Sequence, residues 1–293
     1  MIENWEESIV FEEELRRFVK LVDATPKIKK ALEYIISAGG KRVRPIIVLL
    51  SGKMCNGNYE RLMNLAIAVE LVHTASLVHD DVIDQAEMRR RNPALHKKYD
   101  TALAIVVGDW LISKSVELTS IYGEEVIKEC AKVGMMMSEG EILDFYSVRE
   151  EFDEKDYFEC IEKKTASLFA YSAKTACKIV SGDKVMMENL YNYGYNLGMA
   201  YQLVDDLLEY KDAVKDKKSD FESLTLPCIY SKKFGERAAI EKTLKLISDF
   251  AKKSFEALNH FPECKEKEKL REVVKYMTVD MLKQSGLFLE LPE

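Results

Sequence analysis

The sequence predicts an all-α protein built as one bundle of about ten or more helices. Apolar residues recur three and four apart almost everywhere, as in Leu62, Leu65, Ala66, Val69 and Val72. No sustained period-two segment is bounded by hairpin turns. Clusters of Gly, Pro, Asn, Asp or charge divide the chain into segments, several much longer than the usual three turns.

In chain order these breaks are "DATPKI", "AGGKRVRP", "CNGNYE", "RRRNPALHKKYD", "IYGEE", "VREEFDEKD", "VSGDK", "VKDKKSDFESLTLP", "KFGE" and "HFPECKEKE". Residues 62–79, 102–119 and 186–208 are apolar over most of their circumference, so each is expected as an inner helix with others around it. The chain has 293 residues, 47% of them hydrophobic, with 13 Gly and 6 Pro, enough to bury a sizeable core. With no fixed-period repeat, low-complexity tract or Gly/Ser linker, a single domain over 1–293 is expected. Charge runs such as "CKEKEKLREVVK" read as solvated helix faces.

A net charge of −7 spread along the chain argues against non-specific binding to nucleic acid or an anionic membrane, so an anionic ligand must meet a local basic site. The six cysteines are widely spaced without a CxxC pair, as expected of free thiols rather than a disulfide framework or zinc site. The acidic, amphipathic start "MIENWEESIVFEEELRR" lacks the features of a secretory signal, and runs such as "PIIVLL" fall short of a membrane span. A cytoplasmic protein without stable membrane insertion is expected.

The stretch "HDDVID" sets Asp80, Asp81 and Asp84 at the end of an apolar helix. Asp80 and Asp84, four apart, differ by about 40° in azimuth and about 6 Å in height, so they project side by side and repel unless a cation lies between them. The pattern recurs in "YQLVDDLLEY" with Asp205, Asp206 and Glu209, also read as a helix end, where the macrodipole disfavours anions. Oxygen ligands without His/Cys spacing suit a hard ion such as Mg²⁺, which completes its shell with substrate phosphates.

Cations for phosphate stand near the first cluster, Arg89 and Arg90 in "EMRRRNP", and nearer the N-terminus, Lys41, Arg42 and Arg44 in "GGKRVRP". Gly39 and Gly40 allow close backbone approach, Pro45 suits a first helical turn, and the Arg44 fork fits phosphate oxygens. His73, two turns before Asp80 on the same face, can reach the same cleft; His79 points elsewhere and is read as structural.

In this order and at these separations, "GGKRVRP", "ELVHTASLVHDDVIDQAEMRR", "GDWL", "KKTASLF" and "GMAYQLVDDLLEY" resemble the trans-isoprenyl diphosphate synthases, the polyprenyl synthetase family, from about residue 35 to 230. The resemblance implies a bundle of mostly antiparallel helices around a deep central cavity (the isoprenoid synthase fold) and a Mg²⁺-dependent prenyltransferase, typically homodimeric. It also implies that isopentenyl diphosphate is condensed with an allylic diphosphate into an all-trans polyprenyl diphosphate. Carried over by position, Asp80 and Asp84 would hold Mg²⁺ on one side of the allylic diphosphate and Asp205 on the other. Gly40, Asp81, Asp206 and Glu209 would support them. Arg89 and Lys164 would contact the allylic diphosphate; Lys41, Arg44, His73 and Arg90 would hold isopentenyl diphosphate; Thr165 and Gln202 would line the space beside the reacting carbons.

Three positions depart from the family pattern. Arg91 stands where Gly is usual after the paired arginines, Glu209 where Asp is usual, and Ser223 where a lysine precedes "xTLP". Lys217 or Lys218 is expected to supply the missing charge. For product length, Ala75 and Ser76 just before Asp80 are small, and Val72 and Leu71 follow one turn on, so the floor is expected deeper, at Trp110, Met136 or Phe145 from neighbouring helices. Products of twenty carbons or more are expected. The alternatives are a farnesyl-length synthase, a non-catalytic partner subunit motivated by Ser223, and a terpene cyclase, which would not need Lys41, Arg44, His73 and Arg90.

Overall fold

Each break in the hydrophobic periodicity becomes a helix boundary. The computed structural model describes residues 2–215 and 223–291, so Lys217 and Lys218 lie outside the described residues. The α-helices begin with α1 (Glu6–Leu21), α2 (Pro26–Ser37), α3 (Val43–Met54), α4 (Tyr59–Ile83), a single turn α5 (Leu95–Lys98), α6 (Thr101–Thr119) and α7 (Glu124–Tyr146). They are followed by α8 (Glu154–Ile161), α9 (Ser167–Val180), α10 (Lys184–Lys215), α11 (Leu226–Phe234), α12 (Glu236–Leu258), α13 (Lys265–Lys275) and the short α14 (Met281–Gln284). Side chains start several of them: Asn58 accepts from the Arg61 N–H at 2.9 Å, Asp100 accepts from that of Leu103 at 2.7 Å, and Asp153 with Asp156 forms a capping box on α8.

Three apolar clusters hold the bundle. One joins α1, α2, α4, α6, α7 and α9; a second joins α3, α9, α10, α12 and α13; a third joins α8, α10, α11, α12 and α14. Helices α4 and α10 are inner helices, as expected. Among the described residues α4 alone is long and apolar enough to cross a membrane, but 67% of its most apolar window is buried in the bundle, as in a core helix.

Helix α6 departs from the expectation of an inner helix. It buries Ala104, Val107, Leu111 and Ser115 but leaves Ile105, Val106, Ile112 and Val116 exposed, because among the described residues no other helix covers that face. The chain is also not purely helical. Residues Met88–Arg89 (β1) and Asn92–Pro93 (β2) pair antiparallel around a two-residue turn in which Arg90 and Arg91 have φ of 50° and 66°. That left-handed geometry is what glycine supplies most readily, which accounts for glycine at position 91 in the family pattern.

A second difference concerns the acidic clusters. Helix α4 does end at its cluster, with Asp84 as its C-cap, but α10 runs on to Lys215, so Asp205, Asp206 and Glu209 stand inside the helix and the macrodipole penalty applies to the first cluster only.

Candidate active site

The upper end of α4 carries the first acidic side. Asp81 is buried, and its Oδ1 accepts from Arg89 Nε at 2.7 Å and also from Arg89 Nη2. Asp81 thus fixes the guanidinium, which also reaches Asp80 Oδ2 at 3.4 Å. Lys164 approaches Asp80 from the other side at 3.4 Å and is held by Glu141 at 3.0 Å and Asp144 at 2.5 Å, both on α7. Burial alone would lower the pKa of Lys164; Asp144, Asp80 and Glu141 outweigh it and keep the ammonium charged. Glu141 is pushed up to about 7 by burial and by Asp80, against the pull of Lys164. Asp84 is exposed at the helix end, within the field of Arg89.

Lys164 and Thr165 lie in a π-helical turn, Glu162–Ala166, which sequence periodicity did not reveal. Two glycines let neighbouring helices close on it. A Cβ on Gly140 of α7 would stand 2.3 Å from the Lys164 backbone nitrogen, and one on Gly198 of α10 would stand 2.5 Å from Ala166 Cα. Through this pinch Thr165 reaches α10 and donates to Gln202 Oε1 at 2.6 Å.

The second acidic side is on α10. Asp205 is open to solvent, but the protein around it raises its pKa, countered by Lys41, Arg44 and Arg89, the cations it feels most. Asp206 is buried instead, and burial pushes it up to about 7, with Tyr157 and Gln202 donating to it. Glu209 is exposed one turn further along. Ser223 is half-buried beside Leu224, whose N–H donates to Ser147 Oγ at 2.9 Å.

A cationic group lies behind these carboxylates. Arg90 donates to the Gly39 carbonyl, and its guanidinium occupies the space a Cβ on Gly40 would need, 2.6 Å away. The two basic motifs therefore meet through the glycines. Arg44 stacks 4.2 Å over the Phe169 ring, with its Nε buried and without a protein partner. Lys41 is exposed and sits 5.2 Å over Tyr276. Burial, together with Arg44, Arg90, Arg42 and Arg89, holds His73 well below its ordinary pKa, so the imidazole is neutral. Arg42 does not join this group: in a left-handed conformation it turns inward to Glu70 at 2.6 Å, Glu12 at 2.8 Å and the Ile36 carbonyl at 3.0 Å. It ties α3 to α1 and α4. His79, as expected, is structural, its Nε2 3.1 Å from the Ile105 carbonyl over Gly108.

Below Asp80, Val72, His73, Ser76 and Leu77 form the accessible stripe of an otherwise buried α4, whereas Ala75 has no exposed surface. Under Val72 a cavity of about 10 Å³ is bordered by Ala68, Val69, Val72, Thr119, Cys130, Val133, Leu168 and Tyr171. Trp110 is two residues from Gly108, which packs on His79, so it stands about one turn below Asp80 rather than at the bottom. Phe145 is next to Asp144, at the level of Lys164, under the Arg149 guanidinium at 3.9 Å. Met136 lies about one turn above Val133, which borders that cavity, and is half-buried, so it stands deeper than either.

Sequence reasoning missed Glu141, Asp144 and Tyr157. Glu141 and Asp144 are three apart on a helix, a signal lost among 50 acidic residues.

Fold and site define an all-α isoprenoid synthase. The family model described as Polyprenyl synthetase matches residues 25–267, and the chain belongs to that family and is a prenyltransferase. It is 43% identical over 281 residues to a geranylfarnesyl diphosphate synthase of Methanosarcina mazei, covering 96% of this chain and 95% of the relative. A crystal structure of a geranyltranstransferase from Methanosarcina mazei superposes with a TM-score of 0.85 at 41% identity, covering 96% of this chain and 100% of the other. A polyprenyl synthase of Caulobacter crescentus CB15 complexed with calcium and isoprenyl diphosphate superposes with a TM-score of 0.83 at 28% identity, covering 92% and 94%.

Proposed function

We propose that this protein, a single polyprenyl synthetase domain, condenses isopentenyl diphosphate with an allylic diphosphate to form all-trans polyprenyl diphosphates of twenty carbons or more. The observation that carries this reading is Asp80 set between Lys164 and Arg89, with Asp84 and Asp205 in the field of Arg89, beside a separate cationic group of Lys41, Arg44 and Arg90 around neutral His73. Two diphosphates need two such positive regions, and a cyclase needs only one.

The residues fit Mg²⁺. Among the described residues no three acidic, His or Cys side chains converge as a protein-only metal cage would, which suits an ion that takes much of its shell from substrate phosphate. Asp80, Asp84 and Asp205 would hold it, and when bound it neutralises charge growing on the leaving diphosphate. Arg89 and Lys164 stabilise the same charge from fixed positions. Arg44, with one buried N–H unpaired, Lys41, Arg90 and His73 orient isopentenyl diphosphate so that its double bond faces the allylic carbon. The oxygens of Lys164, Thr165 and Gln202 stabilise the allylic cation without bonding to it, and loss of a proton completes the five-carbon extension.

Length follows from the stripe below Asp80. From Asp80 to Val72, the lowest residue of the accessible stripe, is eight residues, about 12 Å at 1.5 Å per residue, and below Asp80 no Phe, Tyr or Trp of α4 stands in that stripe. That depth takes at least two five-carbon units below the reacting one, each comparable to a helical turn, so one further addition gives twenty carbons or more. The name of the 43%-identical relative, a geranylfarnesyl diphosphate synthase, agrees with that range.

The uncovered face of α6, Ile105, Val106, Ile112 and Val116, with Met135 and Ile142 of α7, suits a second copy of the chain and a cytoplasmic homodimer. Purified protein supplied with Mg²⁺, isopentenyl diphosphate and allylic primers of several lengths, its products sized by chromatography, tests the reading. Elongation to twenty carbons or more is expected; ten- or fifteen-carbon products alone would refute the length, and no elongation would refute the reaction.

A further inference from the structure

Behind the reacting carbons a hydrogen-bonded series runs from α8 to the cavity wall. The Tyr157 hydroxyl donates to Asp206 Oδ2. Asp206 Oδ1 accepts from Gln202 Nε2 at 2.8 Å, and Gln202 Oε1 accepts from the Thr165 hydroxyl at 2.6 Å. Tyr157, Asp206 and Thr165 are 3%, 6% and 5% exposed, while Gln202 is half-exposed, so Gln202 is the member most open to the cavity and Tyr157 and Asp206 stand behind it.

The series has a direction. Each Asp206 oxygen takes a donor, Oδ2 from Tyr157 and Oδ1 from Gln202, and both contacts favour the ionised form against burial; that form only accepts, so Gln202 turns its amide NH₂ toward Asp206 and its carbonyl toward Thr165. The single hydroxyl proton of Thr165 then goes to that carbonyl, and what Thr165 has left to offer is its lone pairs. With the amide reversed, Nε2 would donate to Thr165 and free the hydroxyl proton to point at the substrate, with the positive end of its dipole toward a carbon that is itself becoming positive. Asp206 therefore sets the sign of the dipole, and Tyr157 holds Asp206 in place.

Satisfaction of buried polar groups would by itself explain why each member has a partner. It does not explain why the one acceptor-only group sits at the position that decides the amide's orientation.

We propose that Tyr157 and Asp206 are positioning residues for prenyl transfer, fixing Gln202 and Thr165 so that only oxygen lone pairs face the allylic cation. The proposal rests on the carbocation reading above. Neither residue touches substrate, so their effect is expected on turnover rather than on binding.

The test is Tyr157→Phe, which keeps the ring and removes one donor, alongside Asp206→Asn, whose amide allows Gln202 to reverse. The expected result for Tyr157→Phe is a fall in kcat of about tenfold, with KM for both diphosphates and the half-saturating Mg²⁺ concentration within about twofold and the melting midpoint nearly unchanged. Asp206→Asn should fall further. Wild-type kcat in Tyr157→Phe overturns the proposal; so does a fall in which KM, metal dependence and melting midpoint move together, the mark of a merely structural role. If Asp206→Asn does not fold, Tyr157→Phe decides alone. Thr165→Ser and Thr165→Val test the underlying reading separately: Ser should retain turnover and Val lose it, and equal turnover in the two would sink the carbocation reading whatever Tyr157→Phe does.

Discussion

Substituting Gly198 by Ala tests how the π-helical turn carrying Lys164 and Thr165 is positioned. A Cβ at 198 would lie 2.5 Å from Ala166 Cα, 3.0 Å from Ala166 Cβ and 3.2 Å from the Phe169 ring. Carbon atoms rest at about 3.5–4.0 Å, so α10 and the turn must separate by about 1 Å. The atom in the way is backbone, which cannot swing aside as a side-chain tip can. Overpacking of this kind costs roughly 1–3 kcal/mol, which at this chain length is a drop of roughly 2–5 °C in melting midpoint. A displacement of about 1 Å at groups that must meet a diphosphate and a cation costs on the order of a hundredfold in kcat. Steady-state isopentenyl diphosphate incorporation and thermal melts, measured on the same preparations, separate the two effects. Gly52→Ala is the control, because its Cβ would meet Leu62 methyls at 2.4 and 2.5 Å, far from the site, and should lower stability while leaving kcat unchanged. Wild-type kcat in Gly198→Ala, or an equal loss in Gly52→Ala, would refute the reasoning.

Burial would raise the Glu7 carboxyl, but Lys269 at 2.7 Å and Lys53 at 3.4 Å outweigh it and hold its pKa below the ordinary value. A depressed carboxylate contributes stability above its unfolded pKa and loses it as pH falls through the folded one, so Glu7→Gln should cost about 2 kcal/mol at pH 7 in denaturant melts and nothing measurable at the acid end. Equal differences at both pH values would contradict this. Arg91→Gly relieves a residue at φ 66° and should stabilise by about 1 kcal/mol, read as a higher melting midpoint. Val106→Glu puts charge on the uncovered face of α6 and should yield a monomer in sedimentation, an unchanged dimer arguing for another interface. Val72→Phe narrows the stripe two turns below Asp80 and should shorten the main product by at least one five-carbon unit, with total incorporation retained.

The helices were legible because their boundaries are local. Gly, Pro and capping residues act within a few positions of themselves, and each quoted break coincides with an observed one. The two acidic clusters and the two basic motifs were legible for a similar reason, since a four-residue spacing fixes neighbours on a helix before any tertiary contact forms. Other features depend on what comes from elsewhere in the chain. The π-helical turn at Lys164 is pinched between Gly140 and Gly198, and neither glycine is near it in sequence. Arg42 and Arg44 are two residues apart, yet one turns to Glu70 and Glu12 and the other stacks on Phe169, a difference made by which helices pack around α3. Phe145 and Trp110 read as floor residues from their size, and the antiparallel packing of α6 on α4 and the pairing of α7 with Lys164 set them higher.

The sequence by itself determined the bundle, its inner helices α4 and α10, and the residue types that face one another across the site, because periodicity and spacing are properties of a single helix. Tertiary structure alone decided which carboxylates stay open and which are spent holding another side chain. Asp80 and Asp205 remain accessible to varying degrees, while Asp81 binds Arg89 and Asp206 binds Tyr157 and Gln202. Adjacent residues on a helix point about 100° apart, so in each Asp-Asp pair one side chain meets the cavity and the other meets a neighbouring element. Only the packing of that neighbour gives the buried aspartate its partner.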